Sequence, residues 1–375
     1  MGVVVTGVGV VSALGANPDA FRRALLDGTN ACAMHDFERM DGSVVSAPAY
    51  LAVAPDPAGL IEPRKLRRMF RLARMSAVAA RQALKHAELD PASIHPTRLG
   101  VCFGTSFGAM EPTQKFLDSW IENGETSASP LQFMNSVHGI LASQIAMDIN
   151  AQGVNLTTTQ RDICFEAALD TGVNLIESGR ADVILVGGGD ELTPMLHEFA
   201  SHTQQVVLGR VEGLDPWGSR RGIVPGDGAG VVVLEREDTR RKPLARISAA
   251  RIGRWDHGGN LARELWHEAG KPRIDLLTDN RDGGAASTRL NRMEERALKE
   301  FADGAPAVSH RGNFGTYPSA GAQQFIANVL MLSHHEYYQS LANGKPSGDS
   351  TGAPSVILHN APSTSGSHAG YVLST

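Results

Sequence analysis

Short apolar runs alternate along this chain with longer segments whose apolar residues recur at helical spacing, the pattern of an α/β protein. In the first part of the chain, runs rich in Val, Leu or Ile and set off by glycine predict strands at residues 3–6, 99–103, 154–158, 182–186 and 230–234. Between them, residues 63–87, 133–147 and 163–177 predict helices, the last stopping at Ser178-Gly179, since glycine readily takes the conformation that ends a helix. A charged connector, residues 235–242, leads into a second series. It predicts strands at 245–252, 274–278, 307–309, 355–358 and 370–373, with helices at 289–301 and 320–332. No sequence repeat links the two series. Their similar order of elements predicts a duplicated architecture, with halves at residues 1–242 and 243–375. Residues 280–286 and the Gly/Ser/Pro-rich stretch 344–354 read as loops.

Composition narrows the class. The 375 residues are 42% hydrophobic and 20% charged, enough for a large core, and the net charge of −5 gives no reason to expect nucleic-acid binding. No apolar run approaches a membrane span, so no membrane association is expected. Cys32, Cys102 and Cys164 show no paired spacing, which predicts neither zinc nor a disulfide framework and suits a reducing, cytoplasmic location. Gly2 with Thr6 matches a loose myristoylation pattern, but a Val-rich run ending in Thr-Gly reads more simply as a buried first strand.

Three other motifs fail on their spacing. Gly7-Val8-Gly9 has Ser12 where a dinucleotide fingerprint needs its third glycine, and reads as a tight strand-to-loop turn. His197-Glu198 and His335-Glu336 begin like zinc-protease helices, but Ser201 and Gln339 stand where the second histidine belongs, so both pairs read as surface or structural.

Four segments carry a resemblance. They are residues 3–12 (Val-Val-Val-Thr-Gly-Val-Gly-Val-Val-Ser) with Leu14-Gly15, and residues 179–188 (Gly-Arg-Ala-Asp-Val-Ile-Leu-Val-Gly-Gly). Next come Asp215-Pro216-Trp217 with residues 220–230 (Arg-Arg-Gly-Ile-Val-Pro-Gly-Asp-Gly-Ala-Gly), the most specific, and finally Asn313-Phe314-Gly315 with Ser319-Ala320-Gly321-Ala322. In this order the chain resembles the β-ketoacyl-acyl-carrier-protein synthases, the elongating condensing enzymes of the thiolase superfamily. The resemblance implies the thiolase fold: two pseudo-duplicated α/β halves in five layers, normally dimeric.

It also implies where the chemistry belongs. Such a synthase takes its acyl chain as a thioester on a cysteine at a helix N-terminus and uses two histidines to decarboxylate the malonyl unit. Counting from Gly153 forward and from Gly179 backward, the family's nucleophile position falls both times on Asp162. An aspartate cannot form the thioester. At a helix start its carboxylate is expected to cap exposed N–H groups. Cys164 is the rival nucleophile, but two residues along a helix is roughly 200° of rotation away from Asp162. The first histidine's loop reads Asp279-Asn280-Arg281-Asp282-Gly283-Gly284, with Asn280 taken as the replaced position, and Thr316 stands for the second. The family lysine corresponds to Arg311, His310 reads as a loop histidine, and the C-terminal glycine-rich loop is reduced to Thr364-Ser365-Gly366-Ser367.

The resemblance therefore implies a chain-length-factor-like subunit with no catalytic residue or cofactor of its own. Its partners would be an active ketosynthase, whose acyl tunnel it shapes, and an acyl carrier protein. Polyketide, aryl-polyene and fatty-acid-like products all fit. Phe133 and Met134 would line the shared tunnel or interface, or else pack in the core. Arg64, Lys65, Arg67 and Arg68 would dock the carrier protein, or else form a solvated helix face. Two other readings stay open: an active condensing acyltransferase using Cys164 or an unfamiliar site, and a homodimeric protein that binds an acyl chain or carrier protein.

Overall fold

The computed structural model describes residues 2–256, 259–347 and 352–375. Strand β1 (Val3–Val11) is followed by a hairpin, β2 (Ala33–Glu38) and β3 (Val44–Ala49), then by β4 (Leu99–Gly104), β5 (Asn155–Thr158), β6 (Val183–Asp190) and β7 (Gly228–Arg236). The second series comprises β8 (Ala245–Arg254), β9 (Leu276–Asp279), β10 (Ala307–Val308), a short hairpin of β11 (Ser340–Ala342) and β12 (Lys345–Ser347), and finally β13 (Val356–Pro362) and β14 (Ser367–Ser374).

Leaving the two hairpins aside, each series lays its strands in the same order. The first gives β5-β4-β6-β7-β1 and the second β10-β9-β13-β14-β8. In each, the first two pairings are parallel and the last two antiparallel. The element order anticipated by the hydrophobic pattern is thus a repeated topology. Residues Val3–Val5 of β1 pair with Ala245–Ile247 of β8 and join both runs into one ten-stranded sheet. β1 is buried along its whole length, as a strand flanked on both edges and covered on both faces must be.

Helices make the other layers. Arg71–His86 and Ile140–Ile149 cover the outer face of the first run, and Asn260–Glu268 and Ala285–Ala302 that of the second. Cys164–Glu177 and Gly321–His334 pack against each other between the runs. This is the five-layered α/β thiolase fold.

Local departures from the predicted elements have local causes. The helix predicted at 63–87 is two: Pro63–Leu66, with proline in its first turn, and Arg71–His86, entered from an extended Phe70. The Arg71 guanidinium reaches the buried Asp227 carboxylate at 2.5 Å and holds the second helix where it starts. The helix predicted at 133–147 divides into Pro130–Asn135, capped by Ser129, and Ile140–Ile149 after Gly139. The segment predicted as loop at 280–286 turns helical at Ala285. In the predicted loop 344–354, Lys345–Ser347 forms β12, while residues 348–351 lie outside the described residues. Gly7-Val8-Gly9 is not a turn. It lies inside β1, where a side chain at Gly9 would run into the Ala79 carbonyl and one at Gly7 into that of Ala83, so the glycines let helix Arg71–His86 approach the strand closely.

Candidate functional site

Asp162 sits in a one-turn 3-10 segment, Arg161–Ile163, that opens into helix Cys164–Glu177. Arg161 before it has φ +51°, a left-handed conformation costly for a bulky residue and sustained only by its surroundings. The expected capping by Asp162 is not made. The cap position is Ile163, with no side-chain bond to the helix, and Asp162 Oδ1 instead accepts a hydrogen bond from the Ser363 hydroxyl. The physical reason is reach. Asp162 lies one residue too early to turn back onto the helix amides, and the β13–β14 corner brings Ser363 against it.

That corner is tightly made. Ser363 N–H donates to Ser367 O at 2.9 Å and Gly366 N–H to Ser363 O at 3.1 Å, so Thr364-Ser365-Gly366-Ser367 is a compact turn. Asn280 is buried and donates through Nδ2 to Pro362 O at 3.2 Å. Asp162 and Asn280 thus meet at consecutive residues of one corner. Thr316 is also buried, and its carbonyl accepts from Gly226 N–H at 2.8 Å. The fourth resemblance segment is thereby held to the third. Asp227, in the third segment, accepts from Ala52 N–H at 2.6 Å and Leu192 N–H at 3.2 Å besides its pair with Arg71.

Cys164 lies in the first turn of its helix and is fully buried. Its thiol donates to Arg161 O at 2.7 Å and receives Gln160 N–H at 3.2 Å. Burial, aided by nearby Asp190, Glu166 and Asp162, pushes its pKa far up, which leaves it a protonated, sheltered thiol.

Sequence reasoning missed a buried charged cluster beside this corner. Arg311 is 2% exposed, and its Nε and Nη1 have no hydrogen-bond partner among the described residues. Burial lowers its pKa while Glu166, Tyr317, Asp282 and Asp162 oppose that shift. Glu166 is 3% exposed, and neither carboxylate oxygen accepts a hydrogen bond among the described residues. Its nearest ionisable neighbour is His359 Nε2 at 3.5 Å, on a ring whose Nδ1 lies 2.9 Å from Thr278 Oγ1. The one signal in the sequence was a glutamate at a core-facing position beside Cys164, Phe165, Ala167 and Ala168. His310 lies in the turn before Arg311–Phe314, as a loop histidine, and is fully buried. Its nitrogens contact Tyr338 O at 3.0 Å and Gln324 Nε2 at 2.9 Å, and burial holds its pKa down. His197 is structural: it is buried and stacked on Phe37 at 3.8 Å.

The basic cluster divides. Lys65 Nζ is paired with Asp148 at 2.7 Å, whose other carboxylate oxygen binds Arg81 at 2.5 Å. Arg64, Arg67 and Arg68 stay exposed. Phe133 and Met134 are not core residues in this chain, being 57% and 61% exposed. Helix Pro130–Asn135 packs on helix Met110–Asn123 through Phe116 and Phe133, whose ring centres are 5.3 Å apart. The two helices present Trp120, Ile121 and Leu131 to solvent, and the neighbouring Val137 is exposed too. Strand β5, with Leu156 exposed, forms one edge of the ten-stranded sheet.

The fold sets this polar corner at the head of the central helix. Residues 1–240 match the family model for the beta-ketoacyl synthase N-terminal domain, and the chain belongs to the β-ketoacyl synthase family. It is 26% identical over 260 residues to 3-oxoacyl-[acyl-carrier-protein] synthase 2 of Staphylococcus aureus, a match covering 67% of this chain and 61% of the relative's length. It is 28% identical over 324 residues to the chloroplastic 3-oxoacyl-[acyl-carrier-protein] synthase I of Hordeum vulgare, covering 80% of this chain and 67% of that one. Among solved structures, the ishigamide ketosynthase/chain length factor superposes with a TM-score of 0.84 at 19% identity, covering 100% of this chain and 99% of that one. A ketosynthase in complex with its chain length factor from Xenorhabdus doucetiae gives 0.80 at 19%, covering 100% and 98%. No helix among the described residues is long and apolar enough to cross a membrane.

Proposed function

We propose that this chain is a non-catalytic, chain-length-factor-like subunit that pairs with an active β-ketoacyl-acyl-carrier-protein synthase and shapes the tunnel for its growing acyl chain. The observation that carries this reading is Asp162. The position where the family places its thiolate holds a carboxylate engaged by Ser363, in a corner whose other replaced position, Asn280, is bonded to the adjacent Pro362. Nothing in that set of groups can carry an acyl thioester. Cys164 does not substitute, because its thiol is buried and hydrogen-bonded away from solvent. Such a subunit works only through a partner, and the exposed apolar face of helices Met110–Asn123 and Pro130–Asn135, together with the edge strand β5, offers a surface for one. Arg64, Arg67 and Arg68 supply an exposed basic surface for an acidic carrier protein.

Co-expression with a synthase carrying intact Cys and two His tests this. The expected result is a 1:1 heterodimer by size-exclusion chromatography with light scattering. Ile121→Asp with Met134→Asp should abolish it while leaving the thermal melting of the isolated chain unchanged, since Ile121 and Met134 are 78% and 61% exposed. A stable homodimer that ignores the synthase would overturn the reading in favour of a homodimeric binding protein. Acylation of the chain by an acyl-thioester donor would overturn it in favour of an enzyme.

A further inference from the structure

Helix Ala285–Ala302 buries one side, through residues such as Asn291, Glu294 and Leu298, against the outer face of the second run of strands. Along its other side stand Arg289, Arg292, Arg296 and Lys299, at intervals of three, four and three residues, all exposed. At 1.5 Å per residue this is a ridge of four positive charges about 15 Å long on one helix face. The acids of the same helix do not neutralise it. Glu294 is buried and accepts from Trp255 Nε1 at 2.7 Å, Glu295 is paired with Arg281 at 2.6 Å, and Glu300 with Arg263 at 2.5 Å. The four ridge cations have no ion pair among the described residues, in a chain whose net charge is −5. A groove of about 260 Å³ runs beside the ridge, floored by Met293 and Thr288 and walled by Ser219 and the three arginines.

We infer that this ridge and groove dock an acidic α-helix of a protein partner, at a surface separate from the Arg64–Arg68 cluster. Charge complementarity selects the occupant. Carboxylates repeating every three or four residues match the cation spacing one for one, and the shallow groove beside the ridge accepts the apolar shoulder of such a helix. An extended polyanion such as nucleic acid would meet the net negative charge of the rest of the surface. Unpaired arginines keep the ridge available and make association sensitive to salt.

The inference is independent of the heterodimer reading and is tested on the full chain. The probe is a fluorescent helical peptide with Glu at three-, four- and three-residue intervals, compared by anisotropy with a scrambled peptide of equal composition. The patterned peptide is expected to bind about tenfold more tightly than the scrambled one at low salt. Arg289→Glu, Arg292→Glu and Arg296→Glu together should remove that advantage, and so should the three Arg→Gln changes, which guard against a folding defect from charge reversal. Arg64→Glu with Arg67→Glu should leave it intact. Equal binding of both peptides, or retained binding by the ridge variants, overturns the inference. So does tight binding of pyrophosphate that displaces the peptide, which would assign the groove to small phosphate ligands. Loss of binding in the Arg64 and Arg67 variant instead would move the docking site to that cluster.

Discussion

The Asp162 carboxylate accepts a hydrogen bond from the Ser363 hydroxyl, joining the head of the central helix to the β13–β14 corner 201 residues away in sequence. Placing a thiol at this point does not by itself supply the environment that makes a thiolate. Arg161 and Ile163 occupy the flanking positions, and Asn280 and Thr316 supply no imidazole. Asp162→Cys is therefore expected to remain without condensing or malonyl-decarboxylating activity in the isolated chain, measured by release of carbon dioxide from malonyl-carrier protein. Activity within a factor of ten of a working synthase would show that the rest of the machinery is present.

Thiol chemistry reports the burial of Cys164 directly. Cys32 is half-buried, whereas Cys102 and Cys164 are closed off, and burial raises all three pKa values, least for Cys32. Iodoacetamide on the native chain should modify Cys32 first, with Cys102 and Cys164 reacting only after denaturation, as read by peptide mass spectrometry. Preferential labelling of Cys164 under native conditions would contradict its sheltered position.

Glu191 gives the clearest pH dependence. Burial raises its carboxyl from the ordinary 4.5 to about 7, despite a hydrogen bond from Glu111 N–H at 3.1 Å. A raised carboxylate pKa favours the protonated folded state, so its contribution is fully present below 4.5 and is lost as pH climbs through about 7. The loss is on the order of 3 kcal/mol. Glu191→Gln keeps an acceptor and removes the titration. The variant is expected to gain stability over the parent as pH rises from 5 to 8, in urea unfolding. Buried histidines such as His310 and His368, whose pKa values are lowered, act in the opposite sense below about 6.5 in both proteins, so the difference between the two isolates Glu191.

Gly9 tests the helix–strand contact. A side chain there meets the backbone of Ala79, which cannot turn aside as a flexible side chain could. Gly9→Val should lower stability by about 3 kcal/mol or leave the chain insoluble, whereas Gly42→Val, in an open loop position, mainly registers the strain of its positive φ. A fully stable Gly9→Val variant would mean that the helix can withdraw from β1.

Much of the architecture was legible because the main-sheet strands are short, apolar and glycine-bounded, and their periodicity is a local property. The two series therefore read correctly, and position 162 could be counted to from both sides. The breaks at Phe70 and at residues 136–139 were not legible. Each depends on a long-range partner or a cap that periodicity does not register, as with Arg71 seeking Asp227 across the fold.

At the candidate site the same division holds. Sequence alone determined that an aspartate stands at the head of the central helix and that no histidine lies between residues 267 and 310. Only the tertiary structure decided what those residues do. It turned Asp162 away from its own helix to Ser363 and closed Glu166, Arg311 and His359 into one buried cluster. It tied Lys65 to Asp148 and left Arg289, Arg292 and Arg296 free. Composition and spacing set which groups a chain possesses. Whether a charge is paired, buried or offered to a partner depends on which distant segment folding places beside it.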